Sequence, residues 1–253
     1  MQIAHHTHTN WLKAYSLAWK ILDLIYPPVC IRCGKLGFRC CPDCWATKAT
    51  YDGNICTICG QPLTHPSLCP DCTAVPPLLE KIRSLGEYVG VLSDLILGLK
   101  YHRNIGLAEF VIPDLVRLMA ASQFQFDILV PVPLSKTRQR ERGYNQVTVW
   151  GKLLSATIGT PMLTSALYRH QTTISQVDLP VEKRWENVRG VFSAVEEWVI
   201  GKNILLLDDV ITTGATLAEC AKVLKEAGAN RVSALTIARS SPKKDKNQGG
   251  MYV

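Results

Sequence analysis

Eight of the ten cysteines in this 253-residue chain form four Cys-x-x-Cys pairs between residues 30 and 72. No other feature restricts the fold as much. The pairs are Cys30 with Cys33, Cys41 with Cys44, Cys56 with Cys59, and Cys69 with Cys72. Each sets two thiolates in one tight turn, where they chelate a single ion, and two such turns complete a tetrahedral four-sulfur site. The spacing therefore predicts two Zn2+ ions in closed, structural sites. A disulfide framework belongs to an oxidising compartment; no secretory signal is visible, and a cytoplasmic protein is expected. Sequential pairing (Cys30, Cys33, Cys41, Cys44, then Cys56, Cys59, Cys69, Cys72) and interleaved pairing both fit the spacing. Cys40 competes with Cys41 and reads as a spare, and His65 would substitute only for an imperfect pair. Little between Cys30 and Cys72 can form a core without metal, so the module is expected to fold with its ions. Cys220 shares a helical face with Leu217, Ala221 and Leu224 and reads as core.

The cysteine module divides the chain. Residues 1–28 read as a leader with an amphipathic helix from Trp11 to Tyr26, interrupted by Lys13, Lys20 and Asp23 and unsuited to stable membrane insertion. Residues 29–75 hold the cysteines, "VPPLLEK" punctuates the boundary, 82–240 form a second domain, and 241–253 read as a disordered tail. With 47% of its residues apolar, the chain has material for a sizeable core. Helices are expected at 92–100, 107–121, 145–158 and 215–227, and strands within "FDILVPVPL" and at 162–167, 203–207 and 232–237. Strands alternating with helices predict an α/β fold with a parallel sheet covered on both faces.

The stretch "ILLLDDVITTGATL" (204–217) sets two carboxylates at the end of an aliphatic strand, followed by hydroxyls, a glycine and a helix. A glycine turn feeding a helix offers unpaired backbone N–H groups and a positive dipole end to a phosphate. Thr212, Thr213, Gly214, Ala215 and Thr216 form that turn. Asp208 and Asp209 would repel phosphate, so they must meet neutral vicinal hydroxyls or Mg2+; a ribose 5-phosphate satisfies both halves. The stretch lacks both the P-loop ending and the dinucleotide fingerprint. The run "KTRQRERGYNQ" adds Lys136, Arg138, Arg140 and Arg142 beside Tyr144, a pattern that suits single-stranded DNA, with phosphates on the bases and nucleobases on the ring. A solvated helix face or diphosphate contacts explain it equally. The formal charge of +7 suits anionic ligands without requiring them.

These residues resemble the type I phosphoribosyltransferases, whose ligand motif is an apolar strand, two acids and a Thr-Thr-Gly-type loop. A narrower resemblance, to the ComF competence proteins, spans the cysteines to Arg239. It rests on "LKYHRNIGLA", "PVPLSKTRQRERGYNQ", Arg169, Thr173, Gln176, Leu179, Arg184, Asn187, "LLLDDVITTGAT" and "LTIAR". The resemblance implies a double zinc ribbon and a type I phosphoribosyltransferase sheet. It implies phosphoribosyl diphosphate (PRPP) with Mg2+, the phosphate on Thr212–Thr216 and the ribose on Asp208 and Asp209. A diphosphate loop would follow at Pro131, Val132, Pro133, Leu134 and Ser135, with Arg169 on a closing loop from about Tyr168 to Asn187. Gln171 stands where a second basic residue is expected. Three roles follow: a DNA-uptake factor of natural transformation that binds single strands, a nucleobase-salvage transferase, or an adaptor for a helicase or another part of the DNA-uptake machinery.

Overall fold

A computed structural model describes residues 26–51, 53–65, 67–74, 78–170 and 188–240. The expected leader helix, most of the closing loop with Gln171, Thr173, Gln176, Leu179, Arg184 and Asn187, and the tail lie outside the described residues. In chain order the strands are β1 (Ile82–Glu87), β2 (Ile128–Pro131), β3 (Leu167–Arg169), β4 (Phe192–Ala194), β5 (Asn203–Ile211) and β6 (Arg231–Arg239). The helices are α1 (Pro42–Ala46), α2 (Pro70–Ala74), α3 (Gly90–Tyr101), α4 (Ala108–Ser122), α5 (Lys136–Arg142), α6 (Gln146–Ile158), α7 (Glu196–Val199) and α8 (Ala215–Glu226).

Strands β1, β6, β5 and β2 form one parallel sheet in that spatial order. Alternate residues of a strand face opposite ways, and both faces of β5 are apolar. Leu205 and Leu207 join the core made by α3, α4 and α6. Ile204 and Leu206 join the one made by α8 with β3 and β4. Burial on both sides explains why the central strand reads as an unbroken aliphatic run rather than an alternating one.

Two sequence expectations change. Of the strand expected at 162–167, only Met162 pairs with the sheet, through a bridge to Leu129. The backbone turns at Thr164–Ser165, and Leu167–Arg169 instead pairs antiparallel with β4. The expected strand 203–207 continues to Ile211, held by β6 up to the pair Ile211↔Arg239. Strand β1 had no sequence expectation, because Arg83, Gly86 and Glu87 break its apolar pattern.

Those three residues are where the cysteine module docks. β1 is an edge strand, and its free side receives Ile82 N–H to Ile58 O (2.7 Å), Glu87 N–H to Ala49 O (2.8 Å) and a bridge from Thr50 to Gly86. A side chain at residue 86 would strike the Ala49 carbonyl, so the approach demands glycine. Arg83 donates to the carbonyls of Ile58 and Thr57. On the helical side, buried Asp114 of α4 accepts from Trp45 Nε1 (2.9 Å) and pairs with Lys48 (3.4 Å) and Arg117. Asp114→Ala leaves Trp45 and Lys48 without their carboxylate. A loss of about 3 kcal/mol is expected, seen as a lower urea midpoint at unchanged slope.

Candidate functional site

The cysteines pair sequentially. Cys30, Cys33, Cys41 and Cys44 form one cluster and Cys56, Cys59, Cys69 and Cys72 the other, each with all sulfurs within 4.8 Å of one another. Interleaved pairing is thereby excluded. Cys33 and Cys41 sulfurs lie 3.7 Å apart, Cys59 and Cys69 sulfurs 3.6 Å. A tetrahedral zinc with 2.3 Å bonds needs S···S edges of about 3.8 Å. Backbone N–H groups of Cys41 and Cys69 point at Cys30 Sγ (3.3 Å) and Cys56 Sγ (3.4 Å). Burial raises the pKa of these two thiols, but the amide hydrogen bonds outweigh it and bring both down to about 6. Two four-cysteine sites of this chemistry fit two structural zinc ions. Cys40 stays outside both clusters; burial, followed by the nearby Cys30, pushes its thiol up to about 12. Cys220 is fully buried in the core, as expected.

A cavity of about 330 Å³ opens beyond the carboxyl ends of β5 and β2, where open parallel sheets bind ligands. Its position follows from strand length. Pairing between β2 and β5 stops at Pro131↔Leu207, with a last hydrogen bond from Val132 N–H to Leu207 O (2.9 Å). Beyond Leu207, β5 keeps β6 on one side and faces open space on the other. Asp208 and Asp209 are the next two residues, and both line the cavity. So do Thr212, Gly214, Ala215 and Thr216, with Gly214 at φ +81° making the sharp entry into α8. Thr213 turns back, its hydroxyl accepting from Ala215 N–H (3.3 Å).

The loop after β2 supplies Val132, Pro133 and Leu134 to the wall. Pro131 ends the strand, and buried Ser135 caps α5 by accepting from Arg138 N–H. Asn145 caps α6 and donates to Val132 O (3.0 Å), tying the loop down. Arg169 lines the cavity with its guanidinium over the Phe192 ring.

The two acids have different surroundings. Asp209 is buried; its Oδ2 faces Lys100 Nζ at 3.0 Å and accepts from Gln146 Nε2. Among the described residues, Asp208 Oδ1 accepts only its neighbour's N–H. Burial, then the Asp209 carboxylate, pushes Asp208 up to about 7, against the Asp209 amide and Lys100. Sequence reasoning gave no role to Lys100 or Gln146, nor to Tyr88 and Ser240, which also line the cavity. The first two stand inside quoted motifs, yet only the fold carries their side chains to Asp209.

The basic run folds as α5. Arg138 and Arg142 line the cavity, while Lys136 and Arg140 point to solvent. Tyr144, expected to stack bases, is half-buried with its hydroxyl donating to Leu99 O. It anchors α5 to α3. The exposed ring here is Tyr101, with the Arg142 guanidinium 5.1 Å from its centre. Among the described residues, no helix is long and apolar enough to cross a membrane.

Comparison with known proteins agrees with this architecture. Family models match for "Double zinc ribbon domain" at residues 21–73 and "Phosphoribosyl transferase domain" at 146–252. "DNA utilization protein YhgH" of Salmonella typhimurium is 31% identical over 74% of this chain and 85% of its own. "Competence protein F" of Haemophilus influenzae is 30% identical over 73% and 84%. The chain belongs to the ComF competence-protein family. An adenine phosphoribosyltransferase structure aligns at TM-score 0.36 and 19% identity, covering 55% of this ComF-family chain and 73% of its own.

Proposed function

We propose that this chain binds PRPP, or a related sugar phosphate, with Mg2+ in the cavity beyond β5, and serves DNA uptake in natural transformation alongside other parts of the uptake machinery. One observation carries the reading: the acid pair and the hydroxyl-rich helix entry share one cavity with Lys100, Arg138, Arg142 and Arg169. The 5-phosphate meets the backbone N–H groups from Gly214 to Thr216 and the positive end of α8. Ribose hydroxyls donate to Asp208 and Asp209. The diphosphate lies toward Val132–Leu134 and the arginines, which offset its charge. Asp208 and Asp209 are also the residues that would hold Mg2+, whose bound charge neutralises phosphate oxygens. Relatives named for competence and DNA utilization support the uptake role. The basic face of α5 supports single-stranded DNA as the polymer handled.

Titration calorimetry with PRPP and Mg2+ tests the cavity: saturable heat at one ligand per chain is expected, and a flat trace ends the reading. Adding a pool of nucleobases to the same mixture tests turnover, because release of diphosphate would make the protein an active phosphoribosyltransferase. For the polymer, single-strand affinity is measured against salt. Replacing Arg138 and Arg140 by glutamine should flatten the log–log slope by roughly 0.7 for each phosphate that is no longer neutralised; an unaltered slope removes α5 from the interface.

A further inference from the structure

The cavity and the nucleic-acid surface are not separate. Tyr101 is 61% exposed at the end of α3, and Arg142 covers part of its face. Arg142 Nη1 donates to Gln146 Oε1 (2.8 Å), and Gln146 Nε2 donates to Asp209 Oδ2. Lys100, the residue before Tyr101, is ion-paired to the same carboxylate oxygen. Two short connections therefore join the exposed ring to the buried acid, one through Arg142 and Gln146 and one through Lys100. Exposed His102 and Arg103 continue the basic rim beyond the ring.

We propose that Tyr101 and Arg142 grip a single nucleic-acid strand at the cavity rim, and that the sugar phosphate and the strand antagonise each other through Arg142, Gln146 and Asp209. The inference rests on both parts of the function proposed above. Base stacking needs an accessible ring beside a cation that meets the next phosphate, and the rim provides both side by side. The antagonism follows from shared charge. Arg142 lines the cavity and also covers Tyr101, so its guanidinium cannot neutralise a diphosphate inside and a strand phosphate outside together. A ligand drawing on Asp209 also competes for Gln146 and Lys100, which hold the rim in its strand-ready arrangement. Linkage then makes the effect reciprocal.

The test is anisotropy of a labelled oligothymidine strand titrated with the full-length, zinc-loaded protein. In wild type, saturating PRPP with Mg2+ should weaken the strand at least about fivefold, relative to sulfate at equal ionic strength. Tyr101→Ala should weaken the strand roughly tenfold and Tyr101→Phe should retain it, since stacking needs only the ring. In Arg142→Gln the antagonism should vanish and the salt slope fall by about 0.7. Circular dichroism of each variant confirms that the fold is intact. A wild type with calorimetric heat and strand binding, but no effect of ligand on strand, overturns the coupling alone. Tyr101→Ala with undiminished strand affinity overturns the rim contact. If wild type binds no strand, or gives no heat, the corresponding half of the function fails and the coupling with it.

Discussion

Chelating the zinc from this protein will damage the parallel-sheet domain as well as the ribbon. Each structural zinc site is worth about 10–16 kcal/mol of apparent binding energy, and the two four-cysteine clusters hold a module with little core of its own. Among the described residues, Cys56, Cys69 and Cys72 form its separate buried cluster, flanked by Ile58, Cys59 and Leu63. Without metal the backbone at Ala49 and Ile58 no longer meets β1, and the edge strand's N–H groups at Ile82 and Glu87 lose their acceptors. A bare parallel edge templates association. Treatment with a strong chelator should release two Zn2+ per chain, disrupt the packing of Trp45 on α4 as read by tryptophan fluorescence, and produce light-scattering aggregates. Cys33→Ser, at an exposed ligand position, should halve the metal content. Cys40→Ser should leave it at two ions, because Cys40 belongs to neither cluster. Apo protein that does not aggregate and keeps its circular dichroism unchanged would falsify the dependence of the edge on metal.

Asp208→Asn and Asp209→Asn together are expected to abolish the calorimetric response to PRPP, while the single changes separate into opposite effects on stability. Truncating one partner of a buried charged pair weakens binding by about 2–5 kcal/mol, so the double variant should fall below detection. Asp209 is the paired acid: its loss leaves Lys100 facing a neutral amide and lowers stability. Asp208 is the strained one. Its folded-state pKa, raised to about 7, lies above the unfolded carboxyl value, so the folded state binds more protons between those two values. Stability therefore declines as pH rises through that window, and the penalty at pH 8 is at most about 4 kcal/mol. Asp208→Asn removes it: the variant should melt higher than wild type above pH 7 and converge with it near pH 4. Ligand affinity should show the opposite trend in wild type, strengthening as pH rises through about 7, since hydroxyls and Mg2+ favour the ionised carboxylate. Thermal melts and calorimetry across pH 5–8 read both. Equal melting of Asp208→Asn and wild type at every pH would show that this carboxyl carries no burial strain.

Much of this molecule could be read without coordinates, for reasons of short range. The Cys-x-x-Cys turns, the aliphatic run of β5, and the glycine entering α8 are set by neighbours within a few residues, and local geometry suffices to recognise them. The acid pair belongs with them, because two carboxylates directly after a buried aliphatic run demand a neutral or cationic partner wherever the run lies. The pairing of the cysteines was not local: sequential and interleaved sites have the same turns, and only the folded path brings Cys41 to Cys30. Nor was β1, whose mixed residues make sense only once the ribbon covers its edge.

The sequence by itself determined the inventory of this protein: two metal sites, a doubly covered parallel sheet, and an acid pair followed closely by a hydroxyl-rich turn. The tertiary structure alone decided which residues meet. Tyr144 was turned into an anchor and Tyr101 left exposed, Lys100 and Gln146 were brought onto Asp209, and β2 ended one residue short of the acids. Tyr144 and Leu99 are 45 residues apart in the chain, Gln146 and Asp209 63. Such meetings depend on how helices α3 and α6 pack over β5, and no local pattern encodes the side-chain distances that this packing sets.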